Sequence, residues 1–253
     1  MTAPIEIADL EPSQAEPLEE SAVRQTRAEA ESITLREKKF ARTKLALMRA
    51  AVARLRVKSF NDVTVKELCE EAQVSEATFF NYFPKKDDVL RYFIQIWMVE
   101  VTWEARQSVG ADSGLRFIEA LFDIMGRELG ECPRIMLEVI SFMTLDREGA
   151  GCPFSSELSL AERLQAFPEM DCASSVPCQK LDQVLAQPIQ RAAAQGELPA
   201  DANIEASVVA LLSLFFGVPL LLKEHPEQIR ETYKQQLQLV WAGVRNRSAS
   251  SLT

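Results

Sequence analysis

Glycine is scarce in this chain, 9 of 253 residues. Alanine, leucine, glutamate, glutamine and arginine fill the long stretches instead, which argues against an all-β fold and for an all-α one. Histidine occurs once, at His225 before Pro226, where it reads as a helix-junction residue; no second histidine exists for a triad or a metal centre. A glycine-rich phosphate loop and a nucleophile elbow are both missing. The acidic pairs Glu70-Glu71 and Asp87-Asp88 are adjacent on helices, so their carboxylates diverge around the axis. Catalysis is therefore not expected, and neither is a cofactor. The five cysteines form no CxxC, and Cys152, Cys172 and Cys178 share a loop at spacings that match no zinc pattern. They read as reduced thiols of a cytoplasmic protein, with no metal. The first twenty residues lack the basic region and apolar run that export requires. Long hydrophobic runs are limited to Ala206–Leu222, which Ser207, Ser213, Gly217 and Pro219 interrupt and which is shorter than the ~20 residues of a usual span. A buried core helix, not a membrane segment, is the expectation.

Positive charge is also in short supply, with a net of −9, but the shortage is uneven. Residues 1 to 35 carry 2 basic and 8 acidic side chains, residues 36 to 91 carry 13 and 8, and the remainder is acidic again. A phosphate backbone responds to local potential, so an acidic protein can bind nucleic acid through one basic module. The polar tail, with Pro4, Pro12 and Pro17, lacks the apolar surface to order itself. Three parts follow: an unstructured acidic tail over 1–34, a small helical module over 35–84, and a larger helical region over 85–253.

Leu47, Met48, Ala51, Val52 and Leu55 recur at helical spacing and predict a first helix from Leu35 to about Lys58, with Arg36, Lys38, Lys39, Arg42 and Lys44 near its start. Thr64 followed by Glu67 is a capping box; Val65, Leu68, Cys69 and Ala72 then mark one buried face of a short helix. Ser75 supplies a second N-cap after Gln73-Val74, which makes two short helices joined by a tight turn, a helix-turn-helix. Val74, Phe79 and Phe83 point inward in this reading. Glu76, Ala77, Thr78, Phe80, Asn81 and Tyr82 are left for solvent or a partner, and a DNA groove would explain the exposed aromatics.

The run Val63-Thr-Val-Lys-Glu-Leu-Cys-Glu-Glu-Ala-Gln-Val-Ser-Glu-Ala-Thr-Phe-Phe-Asn-Tyr-Phe-Pro-Lys-Lys-Asp-Asp-Val-Leu90, with Ala41–Ala51 upstream, resembles the DNA-binding signature of the TetR family over about residues 36 to 91. The resemblance implies an all-α fold with an N-terminal three-helix DNA-binding domain and a C-terminal helical bundle. By position it puts Thr64 at phosphate and Lys66 at a base, where lysine can pair with guanine acceptors. Ser75, Thr78 and Tyr82 would contact phosphates, Glu76, Ala77 and Asn81 would face base edges, and Lys86 would meet phosphate at the next helix start. Arg42 and Thr43 would add backbone contacts. Two departures stand out: Gln73 where the family usually has glycine at a position favouring positive φ, and Phe80 where tyrosine is common, which offers a ring to thymine methyls or sugars.

Beyond Pro84, helices are predicted at roughly 85–108, 113–129, 133–147, 178–195, 202–222 and 226–246, with a long loop over 149–177 holding one short helix near 158–165. A single recognition helix reads few base pairs, so two copies on a palindromic operator are implied, joined through the last two helices in a homodimer. The apolar Ala206–Leu222 helix and the stripe Ile229, Tyr233, Leu237, Val240, Val244 are the candidates; alternatively these close only the chain's own core. An apolar small-molecule effector would lie among Met98, Trp103, Phe122, Met125, Met136, Ile140, Met143 and Phe215, although such residues more often form core. The function implied is a transcriptional regulator, by family habit a repressor released by its effector; the alternative is a helical protein-binding module that has lost DNA recognition.

Overall fold

The computed structural model describes residues 32–110, 113–145, 157–168 and 176–250; the acidic tail before them, Cys152 and Cys172 lie outside. Ten α-helices and two short 3₁₀ turns account for the described secondary structure, with no strand. Helix α1 spans Leu35–Leu55 and opens on a capping box, in which the Thr34 hydroxyl accepts from the Glu37 N–H and the Glu37 carboxylate accepts from the Thr34 N–H. After the 3₁₀ turn Phe60–Asp62 come α2 (Val65–Ala72) and α3 (Glu76–Tyr82), then the long α4 (Asp87–Val109). The rest is α5 (Leu115–Glu131), α6 (Pro133–Leu145), α7 (Leu160–Ala166), α8 (Leu181–Ala194), α9 (Ile204–Leu221) and α10 (Ile229–Ser250), so each helix predicted from the sequence is present, with ends shifted by a few residues.

Two apolar cores meet along α4, whose 3.6-residue period serves both. Val89, Tyr92, Ile96 and Val99 face a core beneath the N-terminal helices, shared with Leu45, Met48, Leu68, Phe79 and Phe83. Leu90, Ile94, Trp97, Met98 and Val101 face the main core among α5, α6, α8, α9 and α10. Leu158, Phe167 and Val176, from the segment around α7, complete the first of these cores. The N-terminal module is thus packed by residues on both sides of position 84.

That segment is fastened by charge as well. Lys44 of α1 donates to Glu162 of α7 at 2.7 Å, both nearly buried, and the same ammonium sits 4.2 Å from the Tyr92 ring centre. Burial pushes the Glu162 carboxyl up, but Lys44 and the Ser159 cap outweigh it and hold the group below its ordinary range. Arg163, buried beside it, donates to the carbonyls of Leu158 and Val176 and reaches Cys178 Sγ at 3.4 Å. A second junction ties the α1–α2 connection to α6: the Phe60 N–H donates to Glu138 at 3.1 Å and its ring meets Phe142 edge-on.

In the main core, α5 and α10 approach closely at Gly126, where an added Cβ would lie 2.9 Å from the Arg230 backbone and 3.2 Å from the Tyr233 ring. Tyr233 is fully buried and donates to the Phe215 carbonyl at 2.9 Å, which keeps its hydroxyl from being stranded. The last two helices differ from expectation in one respect. Ile229, Tyr233 and Leu237 are buried in the chain's own core together with Trp241, so most of the predicted α10 stripe is internal. The uncovered apolar surface lies around it instead: Leu239 is 64% exposed on α10, and Val209, Leu220 and Leu221 are at least half exposed on α9. Helix α9 has a mean hydropathy of 2.1 yet only a third of it is buried; by length and composition it could cross a membrane, a test that core helices also pass. One face of α9, including Val208, Leu211, Phe215 and Val218, is buried in the chain's own core, Leu212, Leu214 and Phe216 pack partly buried against it, and Val209, Leu220 and Leu221 are open.

Candidate nucleic-acid interface

The two short helices are shaped by their ends. Thr64 caps α2, its hydroxyl bonded to the Glu67 carboxylate and N–H. Lys58 grips the same carboxylate at 2.6 and 2.7 Å and the Asp62 carbonyl at 2.9 Å. The Lys58 hydrogen bond, with those from Thr64, pulls the Glu67 pKa from 4.5 down to about 2. At the other end of α2, Gln73 takes φ 56°, the sole non-glycine residue with positive φ among those described. The turn therefore adopts the left-handed geometry that glycine would supply without strain. Its N–H closes on the carbonyls of Cys69 and Glu70, and the Val74 N–H follows to Cys69.

Ser75 then caps α3 by accepting from the Thr78 N–H at 3.1 Å, and the two hydroxyls bond each other at 2.8 Å. That pairing fixes their direction while leaving hydroxyl capacity for a further partner. Phe79 and Phe83 are fully buried and anchor α3 to α1 and α4, with Val74 half-buried beside them. The opposite face is open. Glu76, Ala77 and Asn81 are exposed, and Phe80 is 49% exposed with its ring edge against Phe79. Neither Glu76 nor Asn81 makes a side-chain hydrogen bond or ion pair among the described residues. Lys66 stands out from α2, with Glu70 only at 3.9 Å. Arg42 is exposed and Thr43 half-buried on α1.

Two residues sit differently from a simple solvent-facing reading. Tyr82 is half-buried, its ring 4.5 Å from that of Phe40 on α1. Lys86 turns back into the protein: its ammonium donates to the carbonyls of Phe60, Asn61 and Val63 at 2.8 to 3.3 Å and lies over the Phe60 ring. Three carbonyl acceptors make Lys86 a clasp on the 3₁₀ turn. Phe40 and the Lys58 grip on Glu67 were not singled out by sequence reasoning, and Lys44 was named only among the basic residues of α1. An aromatic in the basic run Lys38-Lys39-Phe40 was a signal for the first; the Lys44 partner lies 118 residues away and gave none.

The effector candidates are mostly solid packing. Met98, Phe122, Met125, Met136, Ile140 and Phe215 are buried in the main core, and Met143 packs partly buried against it. Trp103 belongs to the other core, against which it packs half-buried. Phe122 alone among the eight also lines a described surface cleft, of about 380 Å³, between α5 and α10 beside Asp123 and Arg230. These positions therefore form core in this conformation. Among the described residues no group of three His, Cys, Asp or Glu side chains is placed to hold a metal ion.

This arrangement, two short capped helices with one open polar face on a basic three-helix module, is a helix-turn-helix. Residues 47–93 match the family model for bacterial regulatory proteins of the tetR family. The fold of the whole is shared with solved regulators of that family. Thermus thermophilus FadR, a TetR-family transcriptional repressor solved with lauroyl-CoA, is 21% identical, with a TM-score of 0.54 over 78% of this chain and 92% of that one. A TetR transcription regulator from Haloarcula marismortui is 17% identical, with a TM-score of 0.55 over 80% and 97%. SmeT, a Stenotrophomonas maltophilia repressor seen in complex with triclosan, is 16% identical, with a TM-score of 0.54 over 79% and 90%. No curated protein matches the sequence. Residues 47–93 therefore carry the tetR-family DNA-binding module, and the chain shares the fold of those regulators; at these identities the solved structures speak to fold alone.

Proposed function

We propose that this chain is a transcriptional repressor that binds a palindromic operator in double-stranded DNA as a homodimer and leaves it when an apolar small molecule binds. The observation that carries the reading is the open face of α3: Glu76, Ala77 and Asn81 project exposed from an anchored helix, with the half-exposed Phe80 beside them. Residues 36–91 around it hold the chain's excess of cations. Lys66 and Asn81 are suited to base edges, Ser75, Thr78, Tyr82, Arg42 and Thr43 to phosphates, and Thr64 serves first as a cap.

Dimerisation is supported by the apolar surface of α9 and α10, where Val209, Leu220 and Leu239 stand exposed, Leu239 lining a cleft of about 450 Å³. A second copy of the same two helices would remove that surface from water and make a four-helix bundle. Effector release is supported by the methionine-rich wall of the main core, Met98, Met125 and Met136, whose flexible side chains repack at modest cost. FadR and SmeT carry lauroyl-CoA and triclosan on this fold. An effector entering between α4, α5 and α6 would favour a conformation in which the two recognition helices no longer match the half-site spacing.

The test is affinity selection of genomic fragments with purified protein, comparing wild type with the Lys66→Ala, Tyr82→Ala double variant across a salt series. A palindromic site that weakens with salt and is lost in the variant supports the proposal. No enriched site, or equal binding by both proteins, would overturn it in favour of a protein-binding module.

A further inference from the structure

Upstream of the family-matched segment, α1 continues for about three turns, and residues 35–40 are exposed throughout. An exposed aromatic there has no core to join, yet Phe40 is not loose: its ring lies 4.5 Å from Tyr82, tilted by 41°. Tyr82 is the last residue of α3, so the start of α1 is attached directly to the recognition helix.

Helical spacing places the neighbours. Ala41 is fully buried, which points its side of α1 inward. Arg36, Lys39 and Thr43 fall at i, i+3 and i+7, one stripe along the outer flank of Phe40. Neither Arg36 nor Lys39 makes an ion pair or side-chain hydrogen bond among the described residues. Glu37, the acid of this helix start, is already committed: hydrogen bonds from Thr34 hold its carboxyl below the ordinary range. Among the described residues the stripe is therefore unpaired positive charge, continuous with the face of α3 through the Phe40–Tyr82 contact.

We propose that the first two turns of α1 belong to the DNA-contacting surface, with Phe40 a positioning residue that holds Tyr82 against the duplex, and Arg36 and Lys39 meeting backbone phosphates beside it. This rests on the DNA-binding reading above. Phe40 acts through ring contact alone, since it carries no group that bonds phosphate. Arg36 and Lys39 act through charge, and each phosphate they neutralise releases a condensed counterion.

The experiment uses the full chain and a fluorescent duplex carrying the selected site, with affinity read by anisotropy across a salt series. Phe40→Ala should weaken binding about tenfold with the salt slope unchanged, and Phe40→Tyr should restore it. In a Tyr82→Ala background Phe40→Ala should add nothing, because the two act as one unit. The Arg36→Gln, Lys39→Gln double variant should lower the salt slope by nearly two for each subunit bound. Thermal unfolding of each variant checks that the fold persists. Wild-type binding that all of these variants match overturns the inference and leaves the DNA-binding reading intact, and fully additive losses from Phe40→Ala and Tyr82→Ala overturn the positioning role. A wild-type chain without salt-dependent duplex binding overturns both.

Discussion

The recognition face of α3 and the outer face of α9 and α10 are both uncovered, but for opposite chemical reasons. The first shows Glu76, Ala77, Asn81 and one aromatic ring beside lysines and arginines; water solvates most of it, so it can stand empty until a charged polymer arrives. The second shows Val209, Leu220, Leu221 and Leu239, which water solvates poorly. A surface of the first kind suits an intermittent partner, and one of the second kind suits a permanent one. The contrast accords with the proposal of DNA at the N-terminal end and a second copy of the chain at the C-terminal end.

The sharpest way to break that division is Val209→Glu with Leu239→Glu. Two carboxylates forced into an apolar contact leave it unpaired, so self-association measured by sedimentation should weaken at least about 100-fold, while helix content stays the same. A dimer that survives would put the subunit contact elsewhere. Lys44→Met is next in size. It strands Glu162 as a buried carboxylate and should lower unfolding stability by about 2–3 kcal/mol, as read by denaturant titration, with Lys44→Met plus Glu162→Leu recovering much of the loss; no loss from the single change would show that the pair contributes little. The smallest effect concerns Glu67. Its folded pKa, about 2 against 4.5, is depressed, so its contribution is present above pH 4.5 and fades as pH falls toward 2. Thermal midpoints of Glu67→Gln and wild type should therefore converge across that acid window, and a constant difference would remove the linkage.

Much of this was legible in the chain itself, because the governing interactions are local. The capping box at Thr64, the N-cap at Ser75, the apolar period of α2 and the strained Gln73 turn each involve residues within a few positions of one another. The short helix expected near 158–165 is present as α7, opening on a capping box at Ser159. What periodicity could not tell was which side of a stripe finds a partner. Ile229, Tyr233 and Leu237 had the spacing of an interface and proved to be core, since α5 reaches them across Gly126. Lys86 carried a charge that suited phosphate but met three carbonyls of a turn some 25 positions earlier. Distant pairings such as Lys44 with Glu162 leave no trace in spacing, and the eight effector candidates looked alike whether they line a void or fill one.

The buried link between α1 and α7 bears on how far this DNA-binding module is portable. Residues 35–84 look like a cassette that could be cut out and spliced before another sensor domain. Yet Leu158, Phe167 and Val176 fill its core and Glu162 neutralises its Lys44. A graft ending at Pro84, or even after α4, would arrive with an open hydrophobic floor and an unpaired ammonium. Inheritance of the module by recombination would have to carry two separated stretches of the gene together, or refill that floor with new side chains.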